Sequence, residues 1–238
     1  MSVAKNDIWV YCEDYVTEPA IIAAAREVAV ELGADPISPA TGAFLRSVAA
    51  MRNAKAVVEV GTGAGVSGLW TLSGMNPKGV LTTIDPEVEF QQSAAMAFRA
   101  AQIPSSRTRF INGRALDVLR RLADSSYDMV VVDALPEETS QYVSHALRLL
   151  RPSGALVIPN ALWFGNVANP ARRDPHTVAL REVTKALLES EDFMTCLIPT
   201  GDGALLAVRP SPAILLSTKR RGAMHSFVHR PSSLSLWV

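Results

Sequence analysis

A chain of 238 residues is long enough for one α/β domain with a sizeable buried core. Hydrophobic residues make up 48% and charged residues 19% of the sequence, which argues for a folded globule and against intrinsic disorder. Lysine plus arginine and aspartate plus glutamate both total 23, so no overall basic charge favours a nucleic-acid partner.

The cysteines and the apolar segments indicate the cellular compartment of the protein. Cys12 and Cys196 match no metal-ligand or redox spacing. The N-terminus shows no basic stretch followed by an apolar run, and no window approaches the roughly 18–20 apolar residues that span a bilayer. We therefore expect a cytoplasmic protein that has no membrane partner.

Two helices are predicted before the main unit. Thr17 can cap the first, with Pro19 in its first turn and Gly33 at its end. Its repeating apolar face consists of Ile21, Ala25, Val28 and Leu32. Ser38 and Pro39 start the second, whose inward residues are Phe44, Leu45 and Val48. We assign residues 1–53 to an N-terminal helical cap. Three roles are open for this cap: it covers a substrate site, it forms an oligomer interface, or it only packs against the main domain.

From residue 54 the pattern alternates between strand and helix, which predicts a mostly parallel sheet with right-handed crossovers. The strand candidates are mostly short runs rich in valine, isoleucine and leucine, as expected for strands buried on both faces. They are Ala56–Val60, Val80–Ile84, Thr108–Asn112, Asp128–Asp133 and Ala155–Pro159. The helices are predicted at Val66–Ser73, Glu87–Ala101, Ala115–Ala123, Ser140–Leu150 and from Asp174-Pro175 to about Glu189.

The last two strands differ in kind from the others. Phe193–Pro199 and Ala204–Arg209 flank Gly201-Asp202-Gly203, which predicts a tight antiparallel hairpin and not a crossover. A doubly wound, Rossmann-like sheet that ends in such a hairpin is similar to the sheet of class I methyltransferases. We assign residues 54–210 to this α/β domain.

Residues 211–238 change composition. They contain six serines, no acidic residue and four basic ones: Lys219, Arg220, Arg221 and Arg230. We interpret them as a flexible tail, with a phosphate- or membrane-binding arm as the alternative. His225 and His229 have helical spacing, but they lack a third ligand nearby, so a zinc site is not expected.

The main functional pattern is the glycine-rich turn Gly61-Thr62-Gly63-Ala64-Gly65, which follows a strand and opens a helix. Glycines allow a ligand to approach the backbone, and a helix N-terminus offers N–H groups and partial positive charge. A cofactor carboxylate suits this position. The pattern alone is ambiguous, because Gly63, Gly65 and Gly68 also fit the dinucleotide spacing G-x-G-x-x-G.

Glu59 and the terminal hairpin favour a methionine-derived cofactor over a dinucleotide, whereas the role of Asp85 suits both cofactor classes. Glu59 lies inside the first strand, where a buried acid needs a cationic or hydrogen-bonding partner such as the ammonium group of that cofactor, directly or through water. Asp85 ends the second strand, where it can accept hydrogen bonds from ribose hydroxyls. Asp133 ends the fourth strand, on the same carboxyl edge of the sheet, where ligands of open α/β folds bind.

From about Pro36 to Arg209 the chain resembles small bacterial O-methyltransferases related to catechol and caffeoyl-CoA O-methyltransferases. The motif E-x-G-x-x-x-G-x-S is present, and the tract 160–167 resembles the family motif after strand five. The resemblance implies S-adenosylmethionine as cofactor and a homodimer that uses the N-terminal helices. The cofactor-binding residues it implies are Ile37, Glu59, Gly61, Thr62, Gly63, Gly65, Ser67, Asp85, Ala115 and Leu135.

The metal site of that family is incomplete in this sequence. Members that use a divalent metal hold it with an Asp after strand four and an Asp-Asn pair after strand five, positions that fall on Asp133, Pro159 and Asn160. Proline has no side-chain oxygen, and the lysine base of the family falls at Pro136. We therefore expect that magnesium is not required, with Asp133 and Asn160 alone as a weak site.

The predicted reaction is methylation of a small phenolic acceptor, in which the protein mainly aligns the acceptor oxygen with the sulfonium methyl group. Asp133 and Asn160 are the candidate catalytic residues, and Asp133 and Trp163 the candidate substrate-binding residues. Glu137 and Glu138 are weaker candidates for a base. The alternatives are a cofactor-binding protein with little catalysis, an NAD(P)-dependent oxidoreductase and a nucleic-acid methyltransferase.

Overall fold

The computed structural model describes residues 5–211 and residue 213, so the predicted tail falls almost entirely outside the described residues. Its helices are α1 (Lys5–Asp14), α2 (Ala20–Glu31), α3 (Pro39–Met51), α4 (Val66–Gly74), α5 (Val88–Ala100), α6 (Ala115–Leu119), α7 (Thr139–Leu149) and α8 (Pro175–Glu189). Its strands are β1 (Ala56–Val60), β2 (Val80–Asp85), β3 (Thr108–Asn112), β4 (Tyr127–Val132), β5 (Leu150–Ile158), β6 (Met194–Ile198) and β7 (Ala204–Val208). In this part of the chain, no helix combines the length and apolar character needed to cross a membrane.

The strands form one sheet in the order β3-β2-β1-β4-β5-β7-β6. β1 pairs in parallel with β2 on one side and with β4 on the other, so Val58 lies opposite both Thr82 and Val130. β7 runs antiparallel to its neighbours β5 and β6. The predicted doubly wound sheet with a C-terminal antiparallel hairpin is confirmed. Its winding reverses between β1 and β4, and ligands of such sheets bind outside the carboxyl ends of the strands at that point.

Side chains alternate between two hydrophobic layers on either side of the sheet. Val57 packs into a core with residues of α2, α3, α4 and α5, which include Leu45 and Trp70. Val58 and Val60 point the other way, into a core with residues of α6, α7 and α8. The N-terminal helices α2 and α3 therefore share a core with the sheet that carries the predicted cofactor turn.

Local capping explains where two of the predicted helices begin. Ser38 Oγ accepts a hydrogen bond from Thr41 N at 3.2 Å, and Asp174 Oδ1 accepts one from Thr177 N at 3.0 Å. In both helices a proline follows the cap, where its missing N–H costs nothing. The predicted cap at Thr17 is wrong, because α2 begins at Ala20 and no side chain caps it.

Several predicted elements differ from the structure in detail. Val28, predicted on the apolar face of its helix, is 38% exposed. α6 ends at Leu119, four residues earlier than predicted. β5 begins at Leu150, five residues earlier than predicted, because Leu150 pairs with Tyr127 before an irregularity in the ladder.

The helix α1 was not predicted. Its apolar residues form the uninterrupted run Ile8-Trp9-Val10-Tyr11, which lacks helical spacing, and all four are exposed. Glu13 links α1 to the terminal hairpin, since its Oε1 accepts hydrogen bonds from Gly201 N at 2.7 Å and Thr200 Oγ1 at 3.2 Å. The helix is therefore positioned next to the hairpin loop by hydrogen bonds, which a hydrophobic pattern does not reveal.

Candidate active site

The carboxyl ends of β1, β2, β4 and β5 surround a cavity of about 760 Å³. Most residues proposed from the sequence as cofactor, catalytic or substrate contacts line this one cavity. They are Ile37, Gly61, Thr62, Gly63, Ser67, Asp85, Ala115, Asp133, Leu135, Asn160 and Trp163. Two of the predicted cofactor residues, Glu59 and Gly65, do not line it.

The glycine-rich turn after β1 forms one wall of the cavity. Gly61 has φ +89°, and a Cβ there would lie 1.8 Å from the backbone oxygen of Asp133, so only glycine permits this approach of the two loops. Gly63 has φ +48°, and a Cβ there would meet nothing within 4 Å, which leaves open space for a ligand against the backbone. Val66 and Ser67, in the first turn of α4, also line the cavity. N–H groups at a helix N-terminus suit a cofactor carboxylate.

Gly65 has a packing role in this arrangement. It caps α4 in the left-handed conformation with φ +93°. A Cβ on this residue would lie 2.8 Å from the Phe98 ring and 3.0 Å from Ala94 Cβ on α5. Gly65 therefore permits α4 and α5 to pack closely, and it supports the cavity from behind.

Asp85 joins the end of β2 to the glycine turn. It is 6% exposed, and its Oδ2 accepts hydrogen bonds from Thr62 N at 2.8 Å and Gly63 N at 3.2 Å. Its Oδ1 accepts one from Glu87 N at 2.9 Å. The carboxylate therefore fixes the turn and lines the cavity, and a carboxylate oxygen has lone pairs for further donors.

Glu59 is fully buried beneath the same turn. Ser67 Oγ donates to its Oε1 at 2.8 Å, and Thr83 Oγ1 donates to its Oε2 at 2.7 Å. Thr62 Oγ1 lies 2.7 Å from Thr83 Oγ1 and extends this chain of hydroxyls towards the cavity. The partners of this buried acid are thus hydroxyl groups, and Ser67, which lines the cavity, links it to the ligand space. Burial raises the pKa of Glu59 to about 8, although both hydroxyl donors oppose that rise.

The raised pKa makes Glu59 a source of pH-dependent stability. A carboxyl whose pKa is near 4.5 unfolded and about 8 folded binds its proton more tightly in the native state, so its contribution to stability falls as pH rises between these values. We expect Glu59→Gln to remove this decline, by up to about 1.4 kcal/mol per pH unit. Urea unfolding between pH 5.5 and 8 measures it, with the exposed-site variant Glu191→Gln as control. A pH dependence equal to that of the wild type would contradict the assignment.

Asp133 follows β4 and is partly accessible from the cavity. Asn160 Nδ2, after β5, donates a hydrogen bond to Asp133 Oδ1 at 3.2 Å. Removal from bulk water raises the pKa of Asp133 to about 7; the negative charge of Asp35 adds to the rise, and the Asn160 hydrogen bond opposes it. The side chain can therefore exchange a proton near neutral pH.

The donor set around Asp133 does not fit a divalent-metal cage. Pro159, at one of the three metal positions that the family resemblance implies, is buried and has no side-chain oxygen. In residues 5–211, no three histidine, cysteine or acidic side chains come together as candidate metal ligands. Asp133 and Asn160 would offer only two ligating side chains, and Mg²⁺ held by two side chains stays mostly hydrated.

The loop after β5 places two aromatic rings at the cavity. Trp163 and Phe164 both line it and adopt left-handed backbone conformations, with φ 49° and 55°. Asp202, in the hairpin loop between β6 and β7, accepts hydrogen bonds from the N–H groups of Phe164 and Gly165. The Trp163 and His176 rings also meet in an edge-to-face arrangement, with ring centroids 5.0 Å apart. This loop is thus held in a conformation that few non-glycine residues adopt.

Several residues that the sequence analysis did not assign to the site also line the cavity. Asp35 precedes Ile37 in the loop between α2 and α3, and Asp202 approaches from the hairpin. Arg114 pairs with Glu138 at 2.8 Å, and the Tyr142 hydroxyl donates to Glu138 at 2.7 Å. Burial, followed by the hydrogen bond to Glu138, raises the pKa of Tyr142. Only the four-residue spacing between Glu138, just before α7, and Tyr142 was available as a sequence signal for this network.

Comparison with known proteins adds independent findings. A family model described as O-methyltransferase matches residues 13–210. A predicted O-methyltransferase of Mycobacteroides abscessus is 52% identical over 199 residues, which cover 84% of this chain and 93% of that protein.

Two solved structures share both the fold and more than a quarter of their aligned residues with this chain. One is a Corynebacterium glutamicum protein with a TM-score of 0.79 and 34% identity, over 86% of this chain and 96% of that one. The other is TomG, an O-methyltransferase of Streptomyces achromogenes involved in tomaymycin synthesis, solved in complex with S-adenosylmethionine. It has a TM-score of 0.77 and 28% identity over 88% of this chain and 100% of that one.

Proposed function

The chain belongs to the O-methyltransferase family and is an S-adenosylmethionine-dependent enzyme; on that basis we propose that it methylates a small phenolic hydroxyl and needs no tightly bound metal. The observation that carries this proposal is the position of Asp133. It lies in the same cavity as the glycine turn and Asp85, with Asn160 as its hydrogen-bond partner.

The proposed cofactor site extends from Asp85 across the glycine turn to Asp133. The N-terminus of α4 would hold the cofactor carboxylate, and Asp85 would accept hydrogen bonds from its ribose. Ile37, Ala115 and Leu135 supply apolar surface to the same cavity. Glu59 and Gly65 would act indirectly, by positioning Ser67 and by allowing α4 to pack.

Bound S-adenosylmethionine supplies a methyl group that is activated by the positive charge on its sulfur. Transfer of this methyl group breaks its bond to sulfur and would leave S-adenosylhomocysteine, and Asp133 would accept the proton of the acceptor hydroxyl. Asn160 holds the Asp133 carboxylate through its 3.2 Å hydrogen bond. A base with a pKa of about 7 suits proton transfer near neutral pH.

A phenolic acceptor suits this site in two respects: its hydroxyl is acidic enough for a carboxylate base, and its flat ring fits an aromatic lining. A carboxylate takes a proton from a phenol, whose pKa is near 10 as for tyrosine, far more readily than from an aliphatic alcohol. Trp163 and Phe164 provide aromatic surface beside the cavity. Flat aromatic acceptors stack on such surfaces with offset or edge-on geometry.

The donor set supports the proposal that no metal is needed. With Pro159 and Pro136 at the positions of a family metal ligand and the family base, proton removal depends on Asp133 alone. Two oxygen ligands give Mg²⁺ a poor, mostly hydrated site. Chelation with EDTA is therefore expected to leave the rate unchanged.

We further propose that residues 1–53 act as a helical cap and that two copies of the chain associate through it. Trp9, Tyr11 and Tyr15 are large, exposed aromatic residues on α1 and just after it. Clusters of exposed apolar side chains mark interaction surfaces. Sedimentation equilibrium is expected to give twice the chain mass, and a mass of 25.6 kDa would contradict the dimer.

Calorimetric titration tests the cofactor part of the proposal. S-adenosylmethionine and S-adenosylhomocysteine are expected to bind with micromolar affinity, equally with and without magnesium, and NADH is expected not to bind. Binding of NADH alone would support the oxidoreductase alternative and contradict the proposal.

A further inference from the structure

The cavity is strongly acidic. Among the described residues, seven acidic side chains line it against one arginine, Arg114, and no lysine: Asp35, Asp85, Glu87, Asp133, Glu137, Glu138 and Asp202. S-adenosylmethionine itself is positively charged, but these acidic side chains lie on several sides of the cavity, from Asp85 at the end of β2 to Asp202 in the hairpin loop. An anionic acceptor would be repelled there, since charges in a partly desolvated cleft are weakly screened.

Most of these carboxylates already have partners in the protein. Asp85 binds backbone N–H groups of the glycine turn, and Asp202 binds those of the loop after β5. Glu138 pairs with Arg114, and Glu137 with His176. The backbone N–H groups, Arg114 and His176 that bind these carboxylates also offset part of their negative charge.

Asp35 is in a different situation. It is exposed to the cavity in the loop between α2 and α3, and within the described residues no cation lies at ion-pair distance from its carboxylate. Its neighbour Ile37 is buried, which anchors the loop at the cavity. Asp35 and Asp133 line the same cavity, and the negative charge of Asp35 is one cause of the raised pKa of Asp133.

The aromatic pair beside this region adds a second, independent feature. Trp163 and Phe164 line the same cavity, with ring centroids 5.1 Å apart, and Asp202 fixes their loop. Aromatic faces attract organic cations as well as flat rings. The acceptor region thus combines an uncompensated carboxylate with aromatic walls.

We propose that Asp35 is a specificity-determining residue that selects acceptors carrying a positively charged amine beside the hydroxyl-bearing ring. This inference rests on the proposed function and narrows its substrate class. The Asp35 carboxylate pairs with the ammonium group, while Asp133 takes the proton from the ring hydroxyl. Acceptors with a carboxylate, or with a phosphate-rich carrier group, are disfavoured by the same charges.

The test uses three catechols that share one ring and differ in a single side chain: aminoethyl, ethyl and carboxymethyl. For the wild-type protein, we expect kcat/KM to decrease in that order, with at least a tenfold difference between the first and the last. In Asp35→Asn the preference for the amine over the ethyl compound is expected to fall about tenfold, mainly through KM. Comparing acceptors within one variant cancels any common effect on the base.

Glu31→Gln is the matched control. It also removes one negative charge, but Glu31 lies four residues before Asp35 and its side chain does not line the cavity. It is expected to keep the wild-type preference. Affinities for S-adenosylmethionine and S-adenosylhomocysteine separate an effect on the cofactor from one on the acceptor. If Asp35→Asn weakens binding of S-adenosylmethionine selectively and leaves the acceptor ranking intact, Asp35 serves the cofactor and the inference is wrong.

Two further outcomes separate a failure of this inference from a failure of the proposed function. Methylation of all three catechols at similar kcat/KM would contradict the inference and leave the proposed function standing. If none of the three is methylated although S-adenosylmethionine binds, the proposed function fails, and the inference fails with it.

Discussion

Asp133→Asn is expected to lower kcat for methyl transfer about 100- to 10,000-fold, the usual contribution of a positioned general base. Asparagine keeps the shape of the side chain and a partner for Asn160, but it cannot take up a proton. Affinity for S-adenosylhomocysteine should change far less than kcat. Steady-state kinetics and calorimetry on the same preparations measure both quantities.

The pH profile distinguishes a base from a merely structural residue. Because the pKa of Asp133 is raised to about 7, kcat/KM of the wild type should rise with pH up to about 7 and then level off. Asn160→Ala removes the hydrogen bond that favours the ionised form, so it should move this inflection to higher pH. An unchanged inflection in Asp133→Asn, or a loss of rate below tenfold, would show that another group takes the proton.

Asp85→Ala is expected to weaken binding of S-adenosylmethionine at least about 100-fold, since two hydrogen bonds from ribose hydroxyls to a charged acceptor are lost. S-adenosylhomocysteine should lose affinity in parallel, because both molecules carry the same ribose. The N–H groups of Thr62, Gly63 and Glu87 also lose their acceptor, which loosens the glycine turn.

A stability control is needed for this variant because unpaired buried N–H groups destabilise the fold. Titrations should be made below its measured midpoint of thermal unfolding, with Asp192→Ala at an exposed site outside the cavity as the matched variant. Affinity within threefold of the wild type in folded Asp85→Ala would remove Asp85 from the cofactor site.

Much of the fold could be predicted because its determinants are local. The apolar runs of β1 and β4 are buried on both faces, and Ser38 and Asp174 cap their helices through contacts three residues apart. α1 could not be predicted in the same way. Its apolar side chains are exposed, and its position depends on hydrogen bonds that Glu13 accepts from a loop almost 190 residues away.

The site residues also differ in whether local sequence could predict them. Asp85 and Asp133 could be placed together from the sequence, because carboxyl ends of parallel strands meet at one edge. Asp35 and Asp202 reach the cavity only through the packing of loops that are distant in sequence. Glu59 was recognised as buried, but its hydroxyl partner Thr83 comes from the neighbouring strand in register with it, which required the strand order.

The most direct test of the account is methyl transfer in the presence of EDTA, followed by mass spectrometry of the acceptor. With S-adenosylmethionine and the aminoethyl catechol, we expect one methyl ether for each S-adenosylhomocysteine formed, at a rate that millimolar magnesium does not change. No product in EDTA, with turnover restored by magnesium, would show that a metal and not Asp133 alone activates the hydroxyl, and it would contradict the mechanism.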